Sequence, residues 1–174
     1  MTARLALDEV IATPRLRLSP VRGAVGGRLA PWLEAALAPE WRLADLDAAF
    51  AAGHGLLIAA EADEAIGAAV VRLDQPVAGA ASLSWIAIAP ERRFRGLGAE
   101  AALAIERRLR ERHAVETVYA PVPDGRGLAL YFWLRLGYRP LLGAQAPWPL
   151  VGLTSAAKAG VWLCREARAA PPEA

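Results

Sequence analysis

At 174 residues with a formal net charge of +2, the chain has the length of a single domain and lacks the basic excess of a nucleic-acid-binding surface. Its one cysteine, Cys164, excludes an internal disulfide and any cysteine-based zinc site. No long apolar core follows the initial Met, so no signal peptide is expected, and the composition reads as that of a cytoplasmic protein.

In chain order, residues 14–20 alternate Arg15, Leu16, Arg17 and Leu18, the period of a half-buried first strand. Residues 28–37 and 43–52 read as two short helices separated by Pro39, with Pro31 tolerated near the start of the first. Asp45 and Asp47 suit the early turns of the second. His54, between Gly53 and Gly55, reads as a surface turn residue. Residues 55–61 and 65–73 form two strands joined by a hairpin turn at 62–64. The nearly all-apolar run 81–89 is expected to be a central strand buried on both faces. A long helix over 96–112 buries Ala101, Ala102, Ile105 and Leu109 and wets Arg107, Arg108, Arg110 and Glu111, with His113 as a cation at its C-terminal end. Residues 115–122, 138–142 and 158–165 complete the strands. Cys164 lies in the last of them as a buried small hydrophobe. The uncharged stretch 140–157 is broken by Gly143, Gln145, Pro147, Pro149 and Gly152, so it reads as a loop and not as a membrane span. Residues 167–174 end a Pro- and Ala-rich tail expected to be disordered, which leaves 1–166 as the domain. The fold class is α+β: one mixed, mostly antiparallel sheet of six to seven strands flanked by helices.

The segment between the central strand and the long helix carries the chemistry. It runs Ala89-Pro90-Glu91-Arg92-Arg93-Phe94-Arg95-Gly96-Leu97-Gly98-Ala99. A helix N-terminus has main-chain N–H groups without partners and a dipole that favours negative charge, and glycines let a ligand approach the backbone. A nucleotide P-loop needs Gly-Lys-Ser/Thr, but the only lysine is the distant Lys158. A dinucleotide fingerprint needs a third glycine, where Ala101 stands, and parallel strand–helix alternation, which residues 55–89 lack.

The pattern Arg93-x-x-Gly96-x-Gly98 after Ala89-Pro90 resembles the acetyl-CoA pyrophosphate loop of the GNAT superfamily of N-acetyltransferases. A second stretch adds to the resemblance: Val122 ends a strand, and Ala129, Phe132, Trp133, Gly137 and Tyr138 match the following helix and its Gly-Phe close. Arg126 stands where the family commonly has Asn, and Trp133 where it commonly has Tyr. The resemblance implies a three-layer α/β/α domain whose fourth and fifth strands splay apart. It implies that Ile86, Ala87 and Ile88 pair with the pantetheine arm, and that Arg93, Phe94, Arg95, Gly96, Leu97, Gly98 and Ala99 hold the diphosphate. Arg126 and Trp133 complete the cofactor site. The reaction implied is acetyl transfer from acetyl-CoA to an amine acceptor, with no metal, nucleic acid or membrane involved.

Two departures bear on the chemistry. Residues 81–89 carry no carboxylate to act as base, and the indole of Trp133 is no acid at neutral pH. Tyr131, two residues from Trp133, is about 200° around the helix and is expected to face elsewhere. The candidate catalytic groups are a main-chain N–H at Ile86 or Ile88, Ser84, Trp133 and Tyr119, with Asp124, Glu34 and Asp47 as further side chains. Three readings stay open: transfer by positioning, transfer using those side chains, or non-catalytic acyl-CoA binding as a sensor or partner domain. Trp32, Trp41, Glu34, Glu40, Asp45 and Asp47 either wall a cationic acceptor site or form a solvated acidic face. The segment Thr13-Pro14-Arg15-Leu16-Arg17-Leu18 resembles the first strand of GNAT enzymes acting on protein N-termini, but the acceptor stays open. Contact through the last strands or the Trp148 loop would make a homodimer.

Overall fold

Alternating burial sets the first strands. In the computed structural model, which describes residues 8–23, 32–33, 43–60, 64–142 and 160–166, Leu16 and Leu18 are buried while Arg15 and Arg17 are exposed. The strand there is β2 (Arg17–Val21), preceded by a two-residue partner, β1 (Ile11–Ala12). Helix α1 (Leu43–Ala51) follows, then β3 (Gly55–Ala59), β4 (Ala65–Leu73) and β5 (Ala81–Ile88). A 3-10 turn at Pro90–Arg92 leads into α2 (Leu97–His113), β6 (Thr117–Pro123), α3 (Gly127–Arg135), β7 (Arg139–Pro140) and β8 (Gly160–Glu166). The strands make one sheet in the order β1-β2-β3-β4-β5-β6-β8-β7, antiparallel throughout except for the parallel pair β5–β6.

Among the described residues the sheet has eight strands, not six to seven, because β1 lies upstream of the first Arg-Leu alternation. Residue 14 is also not yet strand; Thr13 and Leu16 close a turn, with Thr13 N–H donating to Leu16 O at 2.9 Å. The expected helix at 28–37 is described only at Trp32 and Leu33, which are helical. The expectations for Glu34, Glu40, Trp41, the 62–63 turn, the Trp148 loop and the 167–174 tail lie outside the described residues.

Two apolar layers sandwich the sheet. On one face, α2 and α3 pack Ala101, Ile105, Leu109 and Trp133 on Leu18, Ile58, Val71 and Leu83. On the other, α1 packs Leu46 and Phe50 on Leu57, Val70 and Trp85. This is the α/β/α layering of a domain with a single mixed sheet. The buried stripe of α2 also contains a charge. Glu106 is 1% exposed and accepts hydrogen bonds from Tyr138 Oη at 2.8 Å and Arg165 Nη1 at 3.0 Å. That network ties α2 to the ends of α3 and β8, and Gly137 (φ +87°) makes the turn that delivers Tyr138. His54 differs from a surface turn residue. It is half-buried, its carbonyl accepts from Val71 N–H, and burial together with the neighbouring Arg72 charge lowers its pKa.

Candidate functional site

The two central strands part because of prolines. Pairing between β5 and β6 covers only Ala81↔Val118 and Ser82↔Tyr119. On its other edge β6 is in register with β8 from Thr117 to Pro123. Val122 O faces β8, since a Cβ placed on Gly160 would stand 2.5 Å from it. Alternation then turns the nitrogens of Pro121 and Pro123 toward β5. Neither carries a hydrogen, so that edge of β6 has no donor where the parallel ladder would continue. The strands separate beyond Tyr119.

A bulge sets which groups β5 presents to the gap. Val71 pairs with Leu83 and Val70 with Trp85, leaving Ser84 as the extra residue. The bulge reverses the alternation: Ala81 and Leu83 lie on the α2 face, and after it Ile86 and Ile88 do. Trp85 and Ala87 point to the α1 face. Ala89 N–H donates to Ile66 O at 2.7 Å, and a Cβ on Gly67 would stand 2.5 Å from Ala87 O, so the odd-numbered main-chain groups here face β4. Those of Ile86 and Ile88 therefore face the gap. Arg93 Nε occupies Ile88 O at 2.9 Å, which draws the following loop back onto the strand end. Ser84 is buried and its hydroxyl lies 2.8 Å from that of Ser82.

The loop itself is wound by two left-handed residues, Phe94 (φ +61°) and Gly96 (φ +77°). Gly96 caps α2 without a side-chain hydrogen bond, and the helical ladder opens with Glu100 N–H donating to Gly96 O at 3.0 Å. Among the described residues, nothing accepts from the N–H groups of Leu97, Gly98 and Ala99. They are the orphan donors of a helix start. The loop is held from outside by the β1–β2 turn. Arg15 Nη1 donates to Arg95 O at 2.9 Å and Arg15 Nε to Glu100 Oε2 at 2.6 Å, while Thr13 Oγ1 donates to Glu100 Oε1 at 2.5 Å. Burial raises the Glu100 pKa, but the bonds from Thr13 and Arg15 and the Arg15 charge outweigh it, and the net shift is downward.

A cavity of about 790 Å³ runs from this helix start into the gap between β5 and β6. Of the sequence-predicted residues, Ser84, Ile86, Ala87, Ile88, Arg93, Phe94, Gly96, Leu97, Gly98, Ala99, Arg126 and Trp133 line it. Arg95 does not; its carbonyl is turned to Arg15. Tyr119 does not either: it sits where β5 and β6 are still paired, edge-on to Trp162, beside a separate depression near Gly79 and Glu116. Trp133 is buried against Phe132 and Tyr138 and forms wall. Tyr131 corrects an expectation, because it lines the cavity as well, at its exposed rim with Arg135 stacked on its ring. Half-turn separation did not exclude it, because the open cavity takes in Leu128, Tyr131 and Arg135 from the exposed side of α3. The sequence reading also missed Pro121 and Pro123, whose Pro-x-Pro spacing inside an apparent central strand was the available signal.

Arg93, Arg126 and Arg135 bring positive charge to the cavity, Arg92 in its wall being ion-paired with Glu64, and among the described residues no carboxylate lines it. The arrangement suits an anionic group at the α2 start and an extended amide chain along β5.

The sequence profile of the "Acetyltransferase (GNAT) family" matches residues 27–138. The chain belongs to the GNAT acetyltransferase family. No curated protein matches it. Among solved structures, a candidate ribosomal-protein-serine acetyltransferase from Vibrio cholerae superposes with a TM-score of 0.70 at 16% identity, over 92% of this chain and 98% of that one. A GCN5-related N-acetyltransferase from Brucella melitensis gives 0.69 at 14%, over 95% and 81%. An acetyltransferase from Thermus thermophilus gives 0.63 at 20%, over 91% and 100%. At such identities these likenesses establish the GNAT fold and leave the acceptor to the site's own chemistry.

Proposed function

We propose that this GNAT protein transfers the acetyl group of acetyl-CoA to a primary amine of a small molecule or a protein N-terminus. The observation that carries the reading is one continuous cavity joining the uncapped amides of Leu97, Gly98 and Ala99 to the unpaired edge of β5. A diphosphate fits the amides and Arg93, and an amide N–H of a pantetheine arm fits the Ile86 carbonyl.

The thioester supplies an activated acyl carbon. In the overall reaction the amine nitrogen bonds to that carbon and the C–S bond breaks. The proton lost by nitrogen ends on the thiol or in water. The chain's own contribution is placement, which can supply about 7–11 kcal/mol of a barrier. The Ile86 N–H faces the gap and is the donor for a developing oxyanion. Trp133 shapes the wall and takes no part in proton transfer. Ser84 and Tyr131 are the hydroxyls lining the cavity among the described residues, and they bracket it from the buried and the exposed side. The lack of a carboxylate among those residues favours one second reading, non-catalytic acyl-CoA binding as a sensor.

The test is release of free CoA thiol from acetyl-CoA against a panel of amines. Amine-dependent release is expected. Tight acetyl-CoA binding with no release would favour the sensor, and no binding would overturn both.

A further inference from the structure

The first-strand motif Thr13-Pro14-Arg15 has a partner in the structure that its sequence does not announce. Arg15 reaches across to α2 and makes a fork: Nε and Nη2 both stand 2.6 Å from Glu100 Oε2, and Nη1 donates to Arg95 O at 2.9 Å. Its own main-chain N–H adds a bond to Glu100 Oε1 at 3.1 Å, and Thr13 Oγ1 donates to the same oxygen. Thr13 Oγ1 is fixed in turn by accepting from Leu16 N–H at 2.9 Å.

We propose that Arg15, held by Thr13 and Glu100, is a positioning residue for the diphosphate loop; the inference rests on the acetyl-CoA reading above. Two features of the loop call for such a device. Arg95 lies between two left-handed residues, so no helical or strand ladder fixes its peptide, and the Arg15 bond holds its carbonyl outside the cavity. Glu100 lies one residue beyond the last orphan amide, where an unpaired carboxylate would repel a bound diphosphate. The guanidinium cancels that charge and holds the carboxylate on the β1–β2 turn. The motif then serves the cofactor loop and carries no information about the acceptor, which accounts for its likeness to the first strand of N-terminus-acting enzymes without implying their substrate.

The experiment compares wild type, Arg15→Ala, Arg15→Lys and Arg15→Ala/Glu100→Gln by calorimetric titration with CoA, and by turnover of acetyl-CoA against S-acetylpantetheine, which lacks the diphosphate. Arg15→Ala is expected to weaken CoA binding about ten- to thirtyfold, as for lost bonds to a charged group. Use of S-acetylpantetheine should stay at the wild-type level. Arg15→Lys should recover part of the affinity, and so should the double variant, which removes the stranded carboxylate. Wild-type affinity in Arg15→Ala would overturn the proposal and leave the acetyl-CoA reading standing. Parallel loss of both substrates would assign Arg15 to fold stability and overturn it as well. Failure of the wild type to bind CoA would overturn the acetyl-CoA reading itself. Should Arg15→Ala not fold, Thr13→Val tests the same clamp, with the same split between the two substrates expected.

Discussion

Gly96 and Gly98 are both glycine for different reasons. Gly96 has φ +77°, a backbone that a β-branched residue adopts only with strain, although space for a Cβ exists, the nearest atom being Arg15 Nη2 at 3.6 Å. Gly98 has ordinary backbone, and a Cβ there would make normal contacts with Phe132 at 3.5 Å and Ile88 at 3.6 Å. The protein without ligand therefore does not require Gly98, whereas a ligand pressed against the amides does. Gly98→Ala should keep or slightly raise the melting temperature, since alanine is the better helix former, while CoA affinity falls at least about tenfold. Equal affinity in both proteins would mean that no ligand group sits on the α2 start. Glu100 supplies a pH signature at the same scale. Its folded pKa lies below the unfolded value of about 4.3, so its contribution to stability is complete above that pH and is lost as pH falls through the folded value. Melting temperatures of wild type and Glu100→Gln should differ near neutrality and converge only as pH falls through the folded value, below the unfolded value of about 4.3. A gap that persists unchanged into acid would contradict the clamp's ionic character.

Among the elements, β6 decides the architecture of the site. Seven register pairs hold it to β8 while its other edge, carrying Pro121 and Pro123, offers β5 no donor beyond Tyr119. Replacing both prolines with alanine returns two N–H groups to the gap. The doubly substituted protein should show slower amide exchange near Ile86 and a several-fold higher KM for acetyl-CoA; an unchanged KM would locate the cause of the splay elsewhere. The elements were largely legible in the sequence. Strand 65–73 has the expected bounds, and the α2 stripe of Ala101, Ala102, Ile105 and Leu109 is fully buried because a period of 3.6 puts them on one side. What escaped was long-range. Glu106 lies on the same stripe; Arg110, one turn on, pairs with it at 3.5 Å, but the hydrogen bonds that satisfy the buried carboxylate come from Tyr138 and Arg165 in distant segments. Likewise, nothing local in Thr13 or Arg15 marks them as partners of a residue 87 and 85 positions away, respectively.

For the whole molecule, the proposed cofactor half of the site was readable because a strand, a glycine-containing turn and a helix start are contiguous in the chain. Twelve of the predicted residues meet in one cavity for that reason. Tyr119 fell outside because its position depends on where two strands part, a property of the assembled sheet. Hydrogen exchange with and without CoA gives the most direct measurement of the central claim. Protection should rise at the amides of Ile86, Leu97, Gly98 and Ala99 and stay unchanged in β2 and β3. CoA binding that leaves those four amides exchanging at their original rates would contradict it.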